Sequence, residues 1–213
     1  MKNLVDFFIK VGELENIPKR GWLLIGEKNP QTIADHIFRV AIMAWVLAKE
    51  RKTNFNMERV IKLALVHDLC ELYAGDTTPY DYGQILPKNK KKWPELFDKW
   101  PRFPKSKKLK FSKEKHRNER KSLKRLTGKL PSSLKKEFLA LWTDYECLKS
   151  KEAKFVSQIN RIETLLRALE YAKKKKTQPY RSWWIGSKER VDDPLLVKFM
   201  ATLDKCFPNQ KIE

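Results

Sequence analysis

The stretch from Arg59 to Tyr73, RVIKLALVHDLCELY, limits what this chain can fold into more than any other. Val60, Leu63, Ala64 and the pair Val66/His67 recur at three- and four-residue spacing, which predicts a helix with one apolar face, closed by Gly75 in the left-handed αL conformation. The last turn and a half of that helix carries His67, Asp68 and Glu71. His67 and Glu71 share a face, while Asp68 is turned away by about 100° and reaches the same point only from the edge. Titratable groups aimed at a core cost several kcal/mol unless they are paired. A bound cation would neutralise them, whereas a His-Asp dipeptide alone also fits a solvated helix end.

A second pair of this kind lies one helix earlier. Thr32 with Asp35 three residues on forms a capping-box pattern. It opens a helix to about Arg51 with Ile33, Ile37, Val40, Ala41, Ala44 and Leu47/Ala48 on one face and His36 bordering it. Asn56 caps the helix Met57 to Tyr73. Upstream, Leu4, Phe7, Phe8 and Val11 predict an amphipathic helix over residues 3–15, and Ile17 to Trp22 reads as a loop.

Downstream, residues 80–111 are rich in Lys, Pro and aromatics with little periodicity beyond a short helix at Pro94 to Trp100, so they read as an insertion or extended loop. Helices resume at Ser112 to Leu126, Pro131 to Leu148 and Ser150 to about Lys173. Thr177 to Arg190 reads as a loop, and Asp193-Pro194 starts a last helix to about Phe207. No segment reads as a paired sheet, so the expected fold is all-α. The chain is expected to form one domain over residues 1–213, with the insertion at 80–111 and a C-terminal loop and helix at 177–213.

Cys70, Cys147 and Cys206 are odd in number and form no CxxC pair, which argues against a disulfide framework or a thiolate zinc site and fits a reducing compartment. The longest uncharged apolar run, Val40 to Ala48, is too short to cross a bilayer. Asp6 and Lys10 interrupt the N-terminal apolar residues, so no signal-peptide core forms. A cytoplasmic protein without a membrane partner is the expectation. Of the net charge of +20, a surplus of 16 falls between Lys88 and Lys136, where 20 Lys/Arg meet four acids. A solvated basic segment and a polyanion-binding one both fit that run.

Taken together, Asp35-His36, Ala64 to Glu71, and Gly75-Asp76-Thr77-Thr78-Pro79 resemble the HD-domain phosphohydrolases, nearest to the branch of 5'-deoxynucleotidases that dephosphorylate deoxyribonucleoside monophosphates. Arg20-Gly21-Trp22, Lys115-His116-Arg117, Leu141 to Glu146 and Glu152 to Val156 match as well. The likeness covers roughly residues 3–80 and 112–172. It implies an HD-domain helical bundle and a divalent metal ion (Mn, Co, Fe, Zn or Mg) held by His36, His67, Asp68 and a fourth residue on the long helix. In the family that fourth residue is an aspartate; here the register puts Asn160 there, a neutral ligand that a hard divalent ion holds less strongly.

The resemblance further implies that Glu71 orients the attacking water or exchanges a proton with the leaving oxygen, and that Asp76 contacts substrate or metal-bound water. Arg20 is expected to bind the phosphate, and Trp22 to wall off the sugar where a 2'-hydroxyl would sit. The implied activity is removal of phosphate from nucleoside 5'-monophosphates. The alternative, raised by Asn160 and the basic segment, is a degenerate HD domain that binds nucleotide or nucleic acid without turnover. The aromatics between the lysines of residues 80–111 fit a pocket cover, a nucleic-acid contact through the 88–136 region, or a homodimer surface.

Overall fold

The computed structural model of this chain describes residues 1–51, 54–82 and 85–207. Residues 83 and 84 of the expected insertion and 208–213 of the C-terminal segment lie outside the described residues. Among the described residues the structure is helical, with an isolated antiparallel bridge between Pro18 and Thr32 and no strand. In chain order the helices are α1 (Lys2–Gly12), α2 (Arg20–Leu24), α3 (Ile33–Glu50), α4 (Met57–Val66), α5 (Glu71–Ala74), α6 (Pro79–Tyr82), α7 (Trp93–Phe97), α8 (Lys105–Leu126), α9 (Ser132–Cys147), α10 (Lys151–Lys175), α11 (Arg181–Lys188) and α12 (Pro194–Cys206). No described helix is long and apolar enough to cross a membrane.

The centre is made by α3 packed against α4 and α10. Ile33, Val40 and Ala44, then Val60, Leu63 and Ala64, then Ile159, Ile162, Leu165 and Leu169 meet there, none more than 1% exposed. Each of the larger side chains stabilises the fold by roughly 1.5–3 kcal/mol through burial. Capping fixes where these helices begin. Thr32 Oγ1 accepts from the Asp35 N–H at 3.1 Å and Asp35 Oδ2 accepts from the Thr32 N–H at 3.0 Å, which sets His36 in the first turn of α3. Asp144 accepts from the Ser150 N–H (2.8 Å) and from Arg59 Nε (3.1 Å), and so ties α4 and α9 to the start of α10.

Several elements differ from the sequence reading. The helix expected from Met57 to Tyr73 is interrupted: α4 ends at Val66 and α5 begins at Glu71, with three-residue turns between (Leu69 N–H to Val66 O, 3.2 Å; Glu71 N–H to Asp68 O, 3.0 Å). Neighbouring side chains of a regular helix point about 100° apart; the break relaxes that constraint where His67 and Asp68 reach one point. Gly75 closes α5 at φ 76°, ψ 151°, outside αL but still a region that glycine enters freely. The stretch from Ile17 to Trp22 is in part α2. Helix α8 starts well before Ser112, because its first turns, exposed and lysine-rich, have good helix formers but no apolar stripe. Thr177 to Arg190 contains α11, which buries Ser182, Trp184, Gly186 and Ser187 in too few turns for a period to show.

The basic, aromatic-rich segment packs onto the core. Phe97 of α7 is 3% exposed, with Tyr80 and Tyr180 at ring-centroid distances of 5.0 and 5.7 Å. Trp100 packs against Gly186 of α11, where a β-carbon would come within 3.0 Å of the indole.

Candidate active site

His36, His67 and Asp68 come together at the junction of α3, α4 and the turn that follows it. His67 Nε2 is 3.3 Å from His36 Nε2 and 3.4 Å from Asp68 Oδ2, and His36 Nε2 is 3.6 Å from the same oxygen. Ligand atoms about 2.1 Å from one ion and 90–110° apart lie roughly 3.0–3.4 Å from each other. The three atoms thus fit around a single metal ion with little adjustment. Among the described residues this is the cluster of imidazole and carboxylate groups that could hold one.

The other ring nitrogens are already committed. His36 Nδ1–H donates to Glu163 Oε2 at 2.5 Å, and His67 Nδ1–H donates to the Ala64 carbonyl at 2.7 Å. Both Nε2 lone pairs therefore face the common point. Burial, only partly offset by Asp68, lowers the His67 pKa to about 4, so the ring is neutral and fit to ligate at pH 7. Glu163 is fully buried, and burial alone would raise its pKa; His36 and then Arg39 (Nε to Oε1, 2.7 Å), helped by Gln31, reverse that and lower it to about 2.

Lys19 covers the outer side of this cluster. Its ammonium donates to Asp68 Oδ2 (2.9 Å) and Glu71 Oε2 (2.9 Å) and stands 3.4 Å from Asp76 Oδ1. Burial opposes its charge, but Asp68, Asp76 and Glu71 outweigh burial and hold its pKa well above the lysine range. For Asp68, burial is overcome by His67 and Lys19, and its pKa is depressed. Glu71 moves the other way: burial and the nearby Asp68 raise its pKa well above the usual carboxyl range. The pair-forming loop is set by main-chain bonds from Lys19 N–H to Gln31 O (2.9 Å) and Ile33 N–H to Ile17 O (2.8 Å).

Lys19, His36, Asp68, Glu71 and Asp76 line a cavity of about 470 Å³, within the range of small-molecule sites. Trp22 forms part of its wall, 2% exposed, against Trp183 and Tyr171 (4.9 and 5.1 Å), with Nε1–H donating to Gln31 Oε1 at 3.2 Å. Gln31 in turn donates to Glu163, so a continuous chain of hydrogen bonds runs from the Trp22 wall to His36. Asp76 lines the cavity and accepts from the Arg20 N–H at 2.6 Å. The Arg20 guanidinium is not among the lining groups; its Nε and Nη2 both bond Asp81 Oδ1, at 3.1 and 3.0 Å.

Asn160 also lines the cavity. Its amide nitrogen donates to the Tyr145 hydroxyl at 2.6 Å, and the Tyr145 ring packs on His67 at 5.2 Å. Arg161 and Arg190 line the cavity too. Burial and then Arg190 lower the Arg161 pKa to about 9.

Sequence reasoning missed Lys19, Gln31, Glu163 and the two arginines. A carboxylate four residues after Ile159 on the inner face of α10 was a readable sign that Glu163 needs a buried partner. Lys19 lies in a segment without periodicity and carried no such sign.

The profile of the HD-domain family matches residues 11–193. The chain is 31% identical over 204 residues to 5'-deoxynucleotidase HDDC2 of Homo sapiens, covering 95% of this chain and 85% of that protein. It is 36% identical over 203 residues to the protein of the same name from Xenopus laevis, covering 95% and 86%. Solved structures with the same fold include a conserved hypothetical protein from Pyrococcus furiosus (TM-score 0.66, 22% identity, 94% of this chain and 99% of that one). A predicted metal-dependent phosphohydrolase from Magnetospirillum magnetotacticum is similar too (TM-score 0.65, 22% identity, 98% and 93%).

Proposed function

Because this chain belongs to the HD-domain family, we propose that it is a metal-dependent phosphohydrolase that removes phosphate from nucleoside 5'-monophosphates, the deoxy forms above all. The observation that carries this reading is the convergence of His36 Nε2, His67 Nε2 and Asp68 Oδ2 within 3.3–3.6 Å beside a cavity of about 470 Å³ that His36 and Asp68 line. The names of the relatives from Homo sapiens and Xenopus laevis support the deoxynucleotide substrate.

His36, His67 and Asp68 would hold the metal, with Asn160 as the family's fourth position. Two imidazoles and one carboxylate suit Mn, Fe, Co or Zn better than Mg. A divalent ion there polarises a phosphoryl oxygen and lowers the pKa of its bound water. The chain's own groups do the rest. Glu71, whose pKa is raised by burial and then by Asp68 against the pull of Lys19, is the group that exchanges a proton with the attacking water or the leaving 5'-oxygen. Lys19 offsets the charge of Asp68, Glu71 and Asp76 and is the inner cation that meets the phosphate. Arg20 holds the segment from Asp76 to Asp81 by its main-chain N–H and its guanidinium. Trp22 forms the sugar wall, held in place by Gln31.

Measuring phosphate release from deoxy- and ribonucleoside 5'-monophosphates with Mn, Co and Mg tests the reading, and no turnover with any of them overturns it. A second reading, a nucleotide-binding HD domain without turnover, is favoured by one observation: Asn160 is neutral and its nitrogen is engaged by Tyr145. The three free cysteines suit a reducing cytosol. The lysine-rich face of α8 suits a polyanion, but the cavity does not require one.

A further inference from the structure

The outer face of α3 is apolar for most of its length. Phe38, Ile42, Trp45 and Val46 recur there at three- and four-residue spacing and are 67, 42, 50 and 52% exposed. Residues at that spacing stand one above another on a helix, so the four form a single stripe opposite the face that buries Val40, Ala44 and Leu47. Such a stripe leaves roughly 400 Å² of apolar surface in water, at the upper end of what a monomer shows. Asp35 lies at its N-terminal end and Lys49 at its C-terminal end, both exposed. The seam Asp35, Phe38, Ile42, Trp45, Lys49 thus advances by alternating steps of three and four, the spacing of helices that pair along their length. Arg39, on the flank, is turned to Glu163 and Glu170. In a chain whose residues are 34% charged, and whose exposed turns of α8 are crowded with lysine, a long outer face without a charge between its ends stands out.

The charges at the two ends select the partner. Copies of a chain with net charge +20 repel each other wherever cations meet, but this seam offers one acid at one end and one base at the other. We propose that the face docks a second copy of the chain, α3 against α3 in antiparallel orientation about a two-fold axis near Ile42. Ile42 of each copy then meets at the axis. Asp35 and Lys49 each lie about 10 Å along the helix from it, so Asp35 of one copy faces Lys49 of the other at both ends, the self-complementary contact that a two-fold axis requires. Ala34 and Ala41, half-buried on the same side, leave room for a second helix to come close. The stripe supplies about half of the roughly 800 Å² that one partner gives to a standard interface, and the flanks of α3 supply the rest. The aromatics of residues 80–111 are less open than this stripe: Trp93, Trp100 and Phe103 are half-buried and Phe97 is buried.

The test uses the full chain as purified. Sedimentation equilibrium is expected to give twice the 25.3 kDa of one chain. Ile42→Asp and Trp45→Glu are each expected to weaken self-association at least about tenfold. Both side chains are about half in water in the single chain, which spares the fold, and melting curves check that each variant is folded. A carbodiimide, which joins a carboxylate to an amine in contact with it, is expected to link Asp35 to Lys49 in the parent chain. Within one chain the two lie about 21 Å apart along α3, so that link forms only between copies. A single chain at every concentration, or a dimer of unchanged strength in both variants, overturns the proposal. A dimer that the variants weaken but whose crosslinks omit Asp35 to Lys49 overturns it as well, since the copies then meet in another orientation. Binding of a single chain to phosphatidylcholine vesicles, lost in Ile42→Asp, would overturn it in favour of a membrane surface.

Discussion

Glu163 Oε2 accepts a 2.5 Å hydrogen bond from His36 Nδ1 deep between α3 and α10, and this bond decides which nitrogen of His36 faces the site. The carboxylate is itself held by Arg39 and Gln31, so the imidazole has one orientation and one tautomer. Because Gln31 also carries the Trp22 indole, the metal cluster and the proposed sugar wall share one support.

Replacing Glu163 by Gln keeps the shape and removes the charge. Metal affinity is expected to fall about 10- to 100-fold, the usual effect of losing an outer-shell partner. Titration calorimetry with Mn or Co, compared with the parent chain, measures this; unchanged affinity would show that Glu163 supports the fold alone.

Asn160→Asp restores a charged oxygen at the family's fourth position. Metal is expected to bind at least about tenfold tighter, which corresponds to about 1.4 kcal/mol, and phosphate release to rise with it. The comparison separates the two functional readings: activity that grows from a measurable level supports a working enzyme, and activity that starts from none marks the parent chain as a binder.

Lys19→Met leaves Asp68, Glu71 and Asp76 facing one another without their shared cation. Breaking a buried pair from one side costs about 3–5 kcal/mol, so the metal-free variant is expected to unfold at distinctly lower denaturant concentration. Added Mn should recover more stability in the variant than in the parent, because the ion then stands in for the charge that Lys19 supplied to these carboxylates. Equal Mn-dependent gains in both would separate Lys19 from the metal cluster.

Much of this arrangement was legible before the structure. The 3.6-residue period placed α3, α4 and α10, and the Thr32 and Ser150 caps fixed their starts, because burying apolar faces against each other is what holds the centre together. His36, His67 and Asp68 stood out as titratable groups on apolar helices. Elements without such a stripe stayed hidden: the first turns of α8 are lysines in solvent, and α11 is too short for a period. Lys19 and the Arg161/Arg190 pair are defined by what comes near them in space. Arg20 illustrates the opposite case, since its motif drew attention to a guanidinium that pairs with Asp81 while the residue before it reaches the cavity.

Acidity should loosen the fold in a defined window. The ordinary His67 pKa near 6.5 is lowered to about 4 in the folded chain, chiefly by burial. Between those values the unfolded chain binds the proton and the folded one does not, so stability is fully present above pH 6.5 and is lost as pH falls toward 4. The shift corresponds to about 3 kcal/mol. Urea unfolding of the metal-free chain at pH 7, 6, 5 and 4 is expected to show that decline, and His67→Gln to flatten it in the same window. With metal bound the decline should continue below pH 4, since the ion binds only the neutral His67 imidazole and keeps it unprotonated in the folded chain. A stability curve that is level from pH 7 to 4 in the metal-free chain would mean that His67 takes up its proton without disturbing the junction of α3 and α4.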